Sequence, residues 1–291
     1  MSFSTSQQIA LVVMPKVTGF ISLVSSLITS ITICRDPKKR SKVYHRLILG
    51  MSLADISSSF WLSLSTWPIP RETGTLWAIG NTVSCTFQGF FTQFGISSPV
   101  YNVSLSFYYL FTVRYSWKEE RLQRRVEPWL HILPLLWSFG TAIAGLFLKI
   151  FNSANLWCWI AGYEGRNEDT TAVNIYRFAL FYGPLWLAII AVTVNLILVF
   201  LYVRSVTLNS SRYESQILGM REREDEFYYD QGWEGRPTAT SFEPSSSSQM
   251  ALQRTRISLY TSRRRKVFYQ SLRYALALYW TWFPITVSFF S

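Results

Sequence analysis

A chain of 291 residues with 49% hydrophobic residues, 15% charged and a formal net charge of +11 combines few charges with a large positive excess. Aromatics make up 17% of it, a content that excludes a disordered or low-complexity chain over most of the length. A soluble nucleic-acid-binding domain would suit the charge but would carry ordinary charged content, so no nucleic-acid partner is expected.

Taken in order, the sequence predicts an all-α, polytopic transmembrane bundle. A short segment, 1–9, precedes a first apolar run from Ala10 to Cys34. Five more follow: His45 to Trp67, Thr82 to Val113, Pro128 to Lys149, Asn174 to Val203 and Val267 to Phe290. Each is long enough to cross a bilayer, which takes about 20 mostly apolar residues. A buried soluble bundle is the rival reading, but six such runs would leave it almost no water-facing surface. Between the fifth and sixth runs lies a polar segment, 205–265, that cannot bury enough apolar area to fold alone and is expected to be disordered. The domain plan is thus 1–9, helices one to five over 10–204, the loop 205–265 and a sixth helix over 266–291.

Orientation follows from Lys and Arg, which are retained on the cytoplasmic side. Segments 35–46, 114–127 and 204–273 hold 23 of the 28, leaving five on the other side. The N-terminus is therefore expected outside. The first run reads as an anchor and not a signal peptide, since it lacks a charged n-region and a small-x-small cleavage site.

Three cysteines divide by this topology. Cys34 lies at the inner end of the first run, an inert thiol or a palmitoylation site. Cys85 opens the third run and Cys158 lies in the second outer loop. As the one pair sharing the oxidising side they are expected to form a disulfide, although sequence does not prove connectivity.

This arrangement resembles the outline of a G-protein-coupled receptor, and two motifs make the resemblance more specific. Leu156-Trp157-Cys158-Trp159-Ile160, followed by Tyr176-Arg177-Phe178-Ala179-Leu180-Phe181-Tyr182-Gly183-Pro184, is similar to the stretch WCWI then YRF-x-LFYGP of the cyclic-AMP receptors of social amoebae, the class E receptors. Leu53-Ala54-Asp55 is similar to the LAxAD pattern of such receptors, and Trp282-Phe283-Pro284 resembles a W-x-P toggle. The resemblance covers roughly 10–204 and 266–291. It implies a receptor for an extracellular small molecule, signalling to a heterotrimeric G protein as the sixth helix swings outward at the inner face. It also implies a seventh helix, which this chain ends before at Ser291, and the loop from Ser205 to Arg265 shares nothing recognisable with the family.

Site expectations follow. Asp55 is the acidic residue inside the runs, where a carboxylate needs a partner or a functional reason; it is either a polar hinge or cation site, or hydrogen-bonded to neighbours such as Ser106 or Asn102. Arg177 either snorkels to the headgroups or pairs with an anionic ligand, as guanidinium does with phosphate or carboxylate; Tyr176, Trp159 and Trp282 join it as ligand candidates. Pro184 and Pro284 are expected to kink their helices and, with Trp282, to act as hinges. Arg114 and Tyr115 either anchor the third helix or face the G protein. Arg263, Arg264, Arg265 and Lys266 are read as facing the G protein or anionic lipid, or as anchors.

Catalysis finds no foothold: the two histidines, His45 and His131, make no metal-ligand spacing, and there is no glycine-rich phosphate loop or nucleophile elbow. No enzyme, cofactor or metal is expected. A small transporter or channel remains an alternative, as does a non-signalling receptor fragment. A transporter predicts internal repeats and several mid-depth polar residues, of which Asp55 alone is evident. The location expected is the plasma membrane, multi-pass.

Overall fold

A computed structural model describes residues 4–162 and 170–230, and beyond them positions 262, 266, 269, 270, 272, 273, 275–277, 279 and 280. Helix α1, Thr5–Arg35, opens on a capping box in which Ser4 and Gln7 each satisfy the other's backbone N–H. The chain then turns through the short α2, Pro37–Arg40, capped by Asp36, into α3, Val43–Ser63. Gly19 lets α1 and α3 cross closely: a Cβ there would come within 2.8 Å of the Ser63 backbone nitrogen. Lys16 closes the outer end of the pair, donating to the Leu64 carbonyl at 2.9 Å while lying over the Trp67 ring, a cation where a helix C-terminus is negative.

The third predicted run is two helices, α4 at Thr82–Phe94 and α5 at Ser97–Tyr109. Pro99 is the cause: it has no N–H for the Gly95 carbonyl, and the chain breaks at Gly95-Ile96. A π-turn, Leu110–Arg114, ends this span. Helices α6, Glu119–Arg125, and α7, Glu127–Phe147, follow. An antiparallel hairpin comes next, of β1, Phe151–Ser153, and β2, Cys158–Ile160. Helix α8, Thr170–Arg177, passes through a second π-turn, Phe178–Tyr182, into α9, Gly183–Asp230. The positions described between 262 and 280 are helical.

The described chain is an all-α helical bundle with one small hairpin. Three of its helices are long and apolar enough to cross a membrane, Thr5–Arg35, Glu127–Phe147 and Thr171–Asn209. Two of the predicted runs fall short among the described residues for local reasons: α3 carries five serines with His45, Arg46 and Asp55, and the third run is split at Gly95-Ile96. Large apolar side chains such as Met14, Phe20, Leu136, Phe147 and Leu187 face outward, as lipid-facing positions do. Inside, one cluster joins Val43, Leu47, Tyr101, Leu105 and Leu122 near the inner end, and a second joins Ile96, Phe151, Trp159, Ile160 and Leu185 near the outer end.

One expectation needs correction. The segment after Val203 does not become irregular at once: α9 continues to Asp230. Low apolar content bars a segment from folding alone, but 205–230 need not nucleate a helix, because the fifth span already supplies the costly first turns. It holds no proline and one glycine, Gly219, amid helix-favouring Arg, Glu, Gln and Leu. Residues 231–261 lie outside the described residues, as do Arg263, Arg264, Arg265, Trp282 and Pro284.

Candidate functional site

The site at the hairpin end of the bundle is built around α4. Cys85 bonds Cys158 with the Cα atoms 5.2 Å apart, as the topology leads one to expect. The hairpin turns through Asn155, whose φ of 72° is a left-handed conformation that asparagine tolerates. Phe151 beds the hairpin into the bundle between Gly89 and Gly145, where an added Cβ would meet its side chain at 2.7 and 2.3 Å. No sequence motif announced that fit.

Two buried glutamines fix the hairpin from below. Gln88 accepts from the Cys158 N–H at 2.8 Å and donates to the Trp61 and Ser65 carbonyls at 2.9 and 2.8 Å. Gln93 accepts from the Trp159 indole N–H at 2.9 Å and donates to the Leu180 carbonyl at 3.0 Å and the Thr141 hydroxyl at 3.2 Å. The Leu180 carbonyl is the one Pro184 orphans, four residues later and without an N–H. A carbonyl left open in hydrocarbon costs several kcal/mol on general grounds, so Gln93 repairs the proline's break. The same device recurs where Ser104 donates at 2.8 Å to the Leu130 carbonyl, orphaned by Pro134. At Pro184 the helix also widens into a π-turn, in which Gly183 N–H reaches back to Phe178.

Trp159, Phe181 and Tyr182 meet edge to face, with ring centroids 5.0 to 5.9 Å apart. Arg177 donates its Nε to the Ile160 carbonyl at 2.8 Å, its guanidinium carbon 5.9 Å from the Trp159 ring centre. No carboxylate among the described residues pairs with it. Tyr176 packs half-buried on the same cluster. Three of the four ligand candidates, Trp159, Tyr176 and Arg177, therefore converge, while Trp282 lies outside the described residues. Trp159 is buried with its N–H committed to Gln93, so its first role is to hold the loop. An apolar groove lined by Val83, Phe87, Phe91 and Leu146 lies elsewhere, between α4 and α7.

Asp55 is half-buried and takes a hydrogen bond from the Ser98 hydroxyl. A serine neighbour is what the sequence leads one to expect; of the two named as examples, Asn102 donates to the Ser98 carbonyl at 3.1 Å, and Ser106 accepts from Asn195 at 2.8 Å. The break before Pro99 brings Ser98 into reach. On the inner side Arg114 and Tyr115 are exposed at the end of the first π-turn, and Lys266 is exposed.

Sequence reading missed the inner polar network. Arg46 grips both carboxylate oxygens of Glu127, its Nη2 reaching Oε2 at 2.6 Å, and gives Nη1 to the Arg40 carbonyl at 2.7 Å. His131 lies 3.8 Å from Glu127 and 3.3 Å from the Tyr101 hydroxyl. Glu119 accepts from the Val43 N–H at 2.7 Å, a carboxylate at the positive end of α3. The available signal is the i, i+4 pair Glu127 and His131 at the start of a span. At the same end, Gln270 donates to the Tyr44 hydroxyl at 2.5 Å, tying the described helical positions near it to α3.

No family model matches the chain, and no curated protein matches it. Among solved structures it is similar to the crystal structure of squid rhodopsin, with 16% sequence identity and a TM-score of 0.49 over 97% of this chain and 76% of that one.

Proposed function

We propose that the chain is a G-protein-coupled receptor of the class E kind, set in the plasma membrane with its N-terminus outside. An extracellular small molecule, anionic in at least one group, is sensed at the outer face near Tyr176 and Arg177. Binding favours an arrangement in which the sixth helix, with Trp282 and Pro284, swings outward at the inner face. A heterotrimeric G protein then docks against Arg114, Tyr115 and the basic run 263–266. The ligand supplies switching energy only through its better affinity for that arrangement.

One observation carries the reading. Residues from the two motifs that resemble class E receptors, separated by the stretch 161–175, meet in space: Trp159 and Ile160 of the first touch Arg177, Phe181 and Tyr182 of the second. Through Gln93 they reach the backbone where the fifth span is broken. Contact at the outer loop thus bears on a helix that can bend.

The test is expression of the chain at a cell surface with a G-protein activation readout across cyclic nucleotides and other small anions. We expect one class to activate, and Arg177→Ala to raise its half-maximal concentration by about tenfold or more, the loss of one charge-assisted hydrogen bond. Silence across the panel, with Arg177→Ala indistinguishable from wild type, would overturn the proposal.

A further inference from the structure

Charge on the inner face is sorted by direction. Two of the four acids in 35–46 and 114–127 are turned to internal partners, Glu127 to Arg46 and Glu119 to the start of α3, while Asp36, its side chain 39% exposed, caps α2 and pairs with Lys39 at the surface. Glu120 is exposed as well. The cations Lys38, Arg40 and Lys42 on and beside α2 are exposed, as are Arg121, Arg124 and Arg125 on α6. The same internal pairs bring the two groups together. Glu119 holds the start of α6 to Val43, next to Lys42, and Arg46 joins the Arg40 carbonyl to Glu127 at the start of α7. Leu122 of α6 is fully buried in the cluster with Val43, which leaves its arginine neighbours on the rim.

This surface also stands at the lipid edge. Helix α1 packs on α3, and α7 on α3, α4 and α5, whereas α9 packs on α5 and the two π-turns, on the side of Arg114. Trp129, the third residue of α7, is 61% exposed, the placement of an interfacial tryptophan.

We propose that the exposed cations of α2 and α6 bind an inner-leaflet lipid headgroup bearing several phosphates, a phosphoinositide. The six exposed cations, beside Glu120 and an Asp36 already paired with Lys39, exceed what a singly charged headgroup neutralises, and the tryptophan favours a membrane lipid over a soluble ligand. The proposal rests on the membrane topology and is independent of receptor activity. Clustered Lys and Arg beside a membrane span attract such headgroups at about fivefold in affinity per cation.

The test titrates phosphatidylinositol bisphosphate, and separately phosphatidylserine, into the detergent-purified full chain and counts bound lipid by native mass spectrometry. Lys38→Gln/Arg40→Gln/Lys42→Gln should weaken bisphosphate binding on the order of a hundredfold. Arg204→Gln/Arg212→Gln/Arg273→Gln, which removes the same charge from exposed positions elsewhere, should leave it within a few fold. Equal losses in both triple variants would reduce the effect to net charge and overturn the site. Phosphatidylserine binding as tightly, or no bisphosphate binding at all, would overturn the choice of ligand. A first triple variant that keeps its lipid but loses G-protein activation would assign the surface to a protein partner instead. Thermal unfolding of both variants, expected to match wild type because every substituted side chain is exposed, separates lost binding from lost folding.

Discussion

Gln93 does more for this molecule than any residue the sequence singled out. Its amide serves three partners on three other elements: the hairpin, α7 and the broken turn before α9. Gln93→Leu keeps the volume and strands the Trp159 N–H and the Leu180 carbonyl. Each hydrogen bond inside a membrane protein is worth about 0.6 kcal/mol on average and up to about 1.7, so the loss should be about 2 kcal/mol. Thr141→Val, which removes the longest of the three bonds, should cost about 0.5 kcal/mol. Unfolding of the purified protein in mixed detergent checks both, and equal effects would remove Gln93 from its central place. Glu127 is the inner counterpart. Glu127→Gln leaves Arg46 facing a neutral amide, and because Arg46 keeps 24% of its side-chain surface in solvent, the cost should be about 2 kcal/mol, below the 3 to 5 of a fully buried pair. The double variant Arg46→Met/Glu127→Met should recover part of that loss, as apolar replacement of a buried pair does.

At the scale of elements, proline positions were legible but their repairs were not. Pro184 was expected to kink the fifth helix; the structure shows a π-turn and a captured carbonyl there, a local answer that depends on a glutamine 91 positions earlier in the chain. The two should be coupled. Pro184→Ala restores an N–H to the Leu180 carbonyl, so Gln93→Leu should cost about 1 kcal/mol less in that background than in wild type, which a double-mutant cycle measures directly. Strict additivity would mean that the proline and the glutamine act independently. Three of the spans and the disulfide could be read from sequence because apolar length and thiol placement are properties of a segment by itself. The break at Gly95-Ile96, the seat of Phe151 between Gly89 and Gly145, and the Ser98 partner of Asp55 could not, because each depends on which segment lies opposite. Helix α9 beyond Val203 was missed for a different reason: composition reports whether a segment folds alone, and this one inherits its nucleus from the span before it.

Across the whole molecule, the +11 net charge becomes an oriented surface. Glu119 and Glu127 tie helix ends together, Asp36 caps α2, and the cations beside them stay exposed. The outer end is held by a disulfide and two glutamines, while the inner end of the 262–280 helix is tied to α3 through the Gln270 and Tyr44 contact. Gln270→Leu should therefore raise ligand-free G-protein activation about two- to threefold in the cell assay, since one hydrogen bond of about 0.6 kcal/mol then no longer favours the closed arrangement. An unchanged basal signal would separate that contact from switching. The receptor reading as a whole turns on movement of this helix, and the movement can be followed without knowing the ligand. Spin labels on cysteines placed at the exposed positions Gln123 and Ser262, with Cys34→Ser to remove the free thiol, report the distance between α6 and the inner end of the sixth helix. On adding nucleotide-free heterotrimeric G proteins, one of them is expected to form a complex and shift the distance distribution toward a longer component; a distribution unchanged by every G protein, with no complex formed, would contradict it.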